Sequence, residues 1–232
     1  MQTKRGIIYY TDNVLKNGFS KAVRDNLKRT AGDIPIVWVS QKPIDEEPNI
    51  VLPGLNRSHK SICTQILAGI HRLQVDVIYM AEHDVLYHQS HFDFIPPKED
   101  VFYYNTNRWW LRTRDGLASY KSIAGSLSQL VAYRGICNDF YTKTMILYVQ
   151  GIKRVTKKVK NEPGKHNVPE LPDYKMELFR SELPNVDIRH NRNFTVSDRF
   201  RNDDPDYEFQ DEIPGWGRTK GRYEEFIRGL DG

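Results

Sequence analysis

Cysteine is scarce in this chain: only Cys63 and Cys137 occur in 232 residues. They form no metal-binding or redox spacing, so each is read as a small buried hydrophobe. Long apolar runs are missing too, since nothing approaches the roughly 20 residues that span a bilayer. The start, MQTKRGIIYYTDN, holds only the run IIYY between its basic flank and Thr11, too short for a signal-peptide core. A soluble, cytoplasmic chain with no membrane span is expected. There is no Gly/Ser or Pro-rich linker, internal repeat or low-complexity tract, so residues 1–232 are read as one domain. A strong charge imbalance is also absent. The net charge of +4 does not by itself define a nucleic-acid binder, but it is compatible with phosphate-bearing ligands.

What is present is an alternation of strand and helix patterns. GIIYY (6–10) reads as a strand followed by the turn residues Thr11, Asp12 and Asn13. Phe19, Val23 and Leu27 recur every four residues and predict a helix over 18–30. IPIVWVS is a second strand and NIVLPG a short third. Ile62, Ile66, Ile70 and Leu73 then share one helical face, and VDVIYMAEHD returns to a strand. This order predicts an α/β fold with a mainly parallel central sheet flanked by helices, because parallel neighbours need crossovers. Further on, DVFYYNTNRWWLRT reads as one strand, SLSQLVAYRGICNDFYTKTMILYV as a strand entering a helix, YKMELFRSEL as a helix and NVDIRH as a late strand. Residues 151–170 read as a basic, exposed loop, and 196–232 as a loop-rich region closing in a short helix, GRYEEFIRGL.

The chemistry concentrates where VDVIYMAEHDVLYH delivers two acids, Glu82 and Asp84, to the end of an apolar strand. Close carboxylates repel and are costly to bury unpaired, so a positive partner is required. That partner is either surface Arg or Lys, or a hard cation such as Mg²⁺ or Mn²⁺ completed by ligand phosphates. Asp12 falls at the carboxyl end of another strand, where open α/β sheets bind ligands. Arg57, His59 and Lys60 stand at a helix start, a place suited to a diphosphate, although a solvated basic turn has the same composition. His83, His88 and His91 match no common zinc spacing and are read as hydrogen-bonding loop histidines. NRWWLRTR joins two tryptophans to three arginines, a surface for stacking a sugar or base, or a core strand with exposed arginines. Trp216, between two glycines, is either a turn residue near the cleft or a plug on the core.

The stretch NRSHKSICTQILAGIHRLQVDVIYMAEHD resembles the approach to the acid-x-acid motif of glycosyltransferases with the GT-A fold, with Glu82 where that motif usually has Asp. The resemblance implies a nucleotide-sugar donor and Mn²⁺ or Mg²⁺. Asp84 takes the role of metal ligand, and Glu82 that of a second ligand or a contact to the donor sugar or ribose. It further implies a late histidine ligand, matched by His190 in NVDIRHNRNFT, and a nucleotide beside Thr11, Asp12 and Asn13, with Arg57 and Lys60 near its phosphates. The acceptor side falls on PELPDYKMELF, where Glu170, Asp173 and Glu177 are carboxylates and Glu177 and Asp173 are the candidates for catalytic base. The expected function is metal-dependent transfer of a sugar to a hydroxyl of a glycan or of a hydroxymethylated base in DNA. The competing readings are a non-catalytic nucleic-acid-binding module and a metal-dependent phosphodiesterase or nucleotidyltransferase.

Overall fold

The structure is a computed structural model that describes residues 2–15, 17–120, 125–151, 161–165, 168–190, 192–193 and 207–220. Its first half runs β1 (Arg5–Thr11), α1 (Asn17–Ala31), β2 (Ile36–Ser40), β3 (Asn49–Val51), α2 (His59–Arg72), β4 (Val77–Glu82), β5 (Val85–Leu86) and α3 (Gln89–Phe92). The second half runs β6 (Val101–Asn105), β7 (Arg108–Arg112), β8 (Ala118–Tyr120), β9 (Leu130–Tyr133), α4 (Arg134–Val149), β10 (Lys175–Phe179), β11 (Asn185–Arg189), β12 (Glu212–Ile213) and β13 (Gly217–Arg218). A seven-stranded sheet has the order β10-β6-β9-β4-β1-β2-β3. All its neighbours pair in parallel except β9, which is antiparallel to both β4 and β6. The expected mainly parallel α/β sheet is therefore present.

Alternating residues of β1 explain why this sheet is covered on both faces. Ile8 and Tyr10 join Ile66 and Ile70 of α2 and Cys137 and Tyr141 of α4 in one buried cluster. Ile7 and Tyr9 join Leu27 of α1, Trp38 and Tyr79 in another. Helix α2 lies so close to β1 that a Cβ on Gly69 would sit 2.6 Å from the Ile8 side chain. Both cysteines are free and buried, as expected. Among the described residues no helix is long and apolar enough to cross a membrane.

Two strand assignments differ from the sequence reading. Lys175–Phe179 is β10, an edge strand parallel to β6, and not part of a helix. Its alternation places Met176 against the first core cluster and Phe179 against the second, where the Phe179 ring stacks on Phe94 at 3.8 Å. Burial on both faces of a sheet edge overrides the helical spacing of Met176 and Phe179. The segment 101–112 is two strands in two sheets. Asn105 ends the first by accepting from the backbone N–H of Asn107 and of Ser181 through Oδ1.

The sheet that receives the second half of that segment has the order β5-β11-β7-β8, and alternation divides its two faces. Trp109, Leu111, Val186 and Ile188 form a third apolar cluster. Arg108, Trp110 and Arg112 point the other way, beside Asp187 and Arg189 of the paired β11. The β12–β13 hairpin brings Trp216 onto the third cluster, where its Nε1 donates to Pro184 O at 2.8 Å, so Trp216 is a plug on the core. Of the expected basic loop, residues 161–165 are packed rather than exposed: Asn161 is buried and its Nδ2 donates to His59 O at 2.8 Å. The rest of that loop's basic run and the closing helix at 221–230 lie outside the described residues.

Candidate functional site

Strands β1 and β4 run side by side in parallel with Tyr10 opposite Glu82, so their carboxyl ends finish together. Beyond β4, His83 and Asp84 form a tight turn, and the chain re-emerges as β5 in the second sheet. There β5 pairs antiparallel with β11 through Val85 and Asp187, and Ile188 N donates to Asp84 O at 2.8 Å. That pairing brings the end of β11, and hence His190, to Asp84. His190 Nε2 stands 3.5 Å from Asp84 Oδ2. His83, Asp84 and His190 each present one ligand atom, all within 4.8 Å of one another.

The surroundings hold this group in place. Asn193 Nδ2 donates to Asp84 Oδ2 at 2.7 Å while its Oδ1 accepts from His190 N. His83 Nδ1 lies 3.0 Å from Thr11 Oγ1 and 3.7 Å from Asp12 Oδ1. Gln65 reaches up from α2 to donate to Thr11 O and Val39 O, fixing the ends of β1 and β2 beneath the site. Glu82 Oε1 accepts from Tyr10 OH at 2.5 Å. Burial, and then the charge of Asp84, raises the pKa of Glu82 well above the carboxylate range. Burial acts in the same direction on Asp84, but the His190 hydrogen bond and the charges of His83 and His190 outweigh it and hold Asp84 low. Neighbouring carboxylates are thus pushed apart, one ionised and one inclined to keep its proton.

One carboxylate oxygen and two imidazole nitrogens suit a borderline cation such as Mn²⁺ better than the all-oxygen shell that Mg²⁺ prefers. The donor set therefore fits a divalent metal. Arg192 N donates to His190 Nδ1 at 3.0 Å. For Nε2 to act as ligand the ring proton must move to Nδ1, which gives up that bond.

These residues open into a cleft of about 310 Å³, within the range of small-molecule sites. Of the residues singled out in the sequence, Thr11, Asp12, Arg57, His59, Glu82, His83 and Asp84 line it together, as do Arg108 and Trp110 of NRWWLRTR, and His190 reaches it through Asp84. Arg57 Nε is held by Asp12 Oδ2 at 2.7 Å, and its guanidinium also donates to Arg192 O, closing one wall. Asn13 and Lys60 are not among the lining residues. Asn13 clamps the neighbouring loop, its Oδ1 accepting from Gln41 N and Lys42 N, and Lys60 is exposed on α2. The lysine that does line the cleft is Lys165, bonded to Gly125 O and paired with Glu162. Glu177 projects from the edge strand β10, paired with Lys98 at 2.5 Å, and Asp173 is exposed just before it. Neither lines the cleft.

Sequence reasoning passed over His83, because its role depends on the β5–β11 pairing rather than on histidine spacing. It placed Arg108 only as one of the arginines of NRWWLRTR and left Asp187, Arg189 and Asn193 unassigned, although all four line the cleft. The signal for the first three was the two-residue alternation in RWWLR and NVDIR, which sets charges on one face and apolar groups on the other.

No protein-family model matches the sequence, and no curated protein does. Among solved structures, the chain is similar to a glycosyltransferase involved in the glycosylation of the major capsid of PBCV-1, with a TM-score of 0.50 at 8% identity over 85% of this chain and 98% of that one. It is also similar to the glycosyltransferase GlyE of Streptococcus pneumoniae TIGR4, with a TM-score of 0.47 at 11% identity over 75% of this chain and 45% of that one. The bifunctional IspDF of Campylobacter jejuni gives 0.46 at 8% identity, over 78% and 50%. This chain thus spans about half the length of the last two. The first likeness shows the fold: the chain has the α/β architecture of a glycosyltransferase structure.

Proposed function

We propose that the protein is a metal-dependent glycosyltransferase that moves a sugar from a nucleoside diphosphate donor to an acceptor hydroxyl. The observation that carries this reading is the His83–Asp84–His190 group at the joined ends of β1, β4 and β11, opening into a cleft. Asp84, His83 and His190 hold the cation, and Glu82 faces the donor beside it. When bound, the cation neutralises charge on the departing diphosphate. Thr11, Asp12 and Arg57 border the nucleotide. In the reaction the bond from the anomeric carbon to the diphosphate oxygen breaks, a bond from that carbon to the acceptor oxygen forms, and the acceptor proton is released. Glu177 and Asp173 lie away from the cleft lining, so the proposal does not use them as the base.

The test is thermal denaturation of the full chain with a panel of nucleotide sugars, with Mn²⁺ and with EDTA. Stabilisation that needs both a nucleotide sugar and Mn²⁺ is expected, since a ligand of the folded state raises apparent stability. Product analysis should then show free nucleoside diphosphate. Absence of any Mn²⁺-dependent nucleotide-sugar binding would sink the reading, and release of sugar 1-phosphate in place of nucleoside diphosphate would replace it with nucleotidyl transfer or phosphodiester cleavage. The acceptor hydroxyl belongs to a glycan or to a hydroxymethylated DNA base. Transfer that weakens steeply with salt identifies the polyanion, because its phosphates release counterions on binding.

A further inference from the structure

Strand β7 carries two buried arginines on one face, and their circumstances differ. Arg112 is 2% exposed and makes a two-pronged pair with Asp115, Nε to Oδ1 at 2.9 Å and Nη2 to Oδ2 at 2.7 Å. Arg108, 4% exposed, has one side-chain hydrogen bond among the described residues, Nη1 to Asp187 Oδ2 at a long 3.4 Å. Its Nε is buried without an acceptor among the described residues, and its guanidinium lies over the Trp110 ring at 5.6 Å. Asp187 is already shared, because Arg189 Nη1 approaches both its oxygens at 3.2 and 3.4 Å. Two guanidinium groups thus divide one carboxylate on the wall of the cleft.

A guanidinium offers five donors in a planar fork. Leaving most of them unused in a buried site is costly unless a ligand completes them. The neighbouring acids do not serve. Asp84 is engaged by Asn193 and His190, and Glu82 by Tyr10.

We propose that Arg108 binds an anionic oxygen, carboxylate or phosphate, of the molecule that fills this cleft. The proposal deepens the sugar-transfer reading and rests on it for the identity of that molecule. It means that the donor or acceptor carries negative charge facing β7. Trp110 supplies the apolar floor against which the ligand and the guanidinium pack.

The experiment is isothermal calorimetry of the full chain with sodium pyrophosphate and with sodium glucuronate, at constant ionic strength in EDTA and without any nucleotide sugar. Wild type, Arg108→Gln and Arg108→Lys are compared after circular dichroism confirms folding. Saturable binding of one anion is expected, weaker by about tenfold or more in Arg108→Gln and intermediate or weak in Arg108→Lys, which keeps the charge but loses the fork. If Arg108→Gln does not fold, the Lys variant alone decides, and an unchanged affinity there overturns the proposal. Pyrophosphate binding identifies a diphosphate group as the source, and glucuronate binding a sugar carboxylate. If neither anion binds wild type, or both bind the variants equally well, the proposal is overturned. Because metal and nucleotide sugar are left out, that failure leaves the sugar-transfer reading standing, and failure of the nucleotide-sugar screen leaves this result standing.

Discussion

The two sheets are joined at two polar junctions of opposite character. At the β4–β5 turn, Asp84, His83 and His190 are ionisable groups that border a cleft. At the β6–β7 turn the polar groups are amides and a serine hydroxyl, packed against the buried ring of His91, whose Nδ1 lies 3.2 Å from Asn105 Nδ2. Asn105 Nδ2 donates to Ser181 Oγ at 2.8 Å, Asn107 Nδ2 to Ser181 O at 2.9 Å, and Asn185 Nδ2 to Gln129 Oε1 at 2.7 Å. These amides and the hydroxyl bond to partners within the chain, and the junction fixes where β6 ends and β7 begins. At the charged junction, carboxylates pushed apart in pKa and a shared aspartate leave interactions for something else to complete. Burial is similar in both, and the difference lies in the charge of the groups and in the cleft that the first set borders.

The sharpest way to test that contrast is to exchange the charge at one junction for an amide. Asp84→Asn should cost roughly a hundredfold or more in transfer rate and remove Mn²⁺-dependent stabilisation, with little change in the urea midpoint measured without metal. Full activity in that variant would place the chemistry elsewhere.

At the neutral junction the effect should be reversed. Asn105→Ala leaves Asn107 N and Ser181 N without their acceptor and should lower stability by about 2–3 kcal/mol in urea titrations. Binding of Mn²⁺ to the remaining folded protein should stay within a factor of about two. A loss of metal affinity matching the loss of stability would mean that the two junctions act as one unit.

A smaller effect involves pH. His91 is fully buried beside the neutral junction, with its ring stacked on Phe179, and desolvation lowers its pKa from 6.5 to about 3. The unfolded chain therefore binds a proton that the folded chain refuses. The stability that follows is complete above about pH 6.5 and is lost as pH falls from there towards about 3. In His91→Phe, chemical denaturation between pH 7 and 4 should show a shallower fall than in wild type. Parallel curves would mean that His91 is charged in the folded state.

The sequence made the sheet legible because apolar strands and four-residue helical spacings repeat clearly from Gly6 to Asp84. It also marked Asp84, an acid at the end of a buried apolar strand, while His190 was marked only through the resemblance to GT-A glycosyltransferases. The second sheet was not legible. Its strands β5 and β8 are two and three residues long, and the break at Asn105 is set by bonds to Ser181, distant in the chain. The same limit hid His83, whose neighbour His190 arrives only through the pairing of β11. Glu177 was misplaced for a different reason: Met176 and Phe179 satisfy a helical spacing, yet each is buried on a different face of a strand.

The alternation along β7 has one more consequence, an optical one. Of the four tryptophans, Trp38 and Trp109 are sealed in apolar clusters and Trp216 packs on the third, while Trp110 alone lines the cleft. Arg189 lies 4.5 Å from its ring centre, and Tyr207 stacks at 6.1 Å. Replacing the other three by Phe leaves a single indole whose emission reports directly on what enters the cleft, without any label.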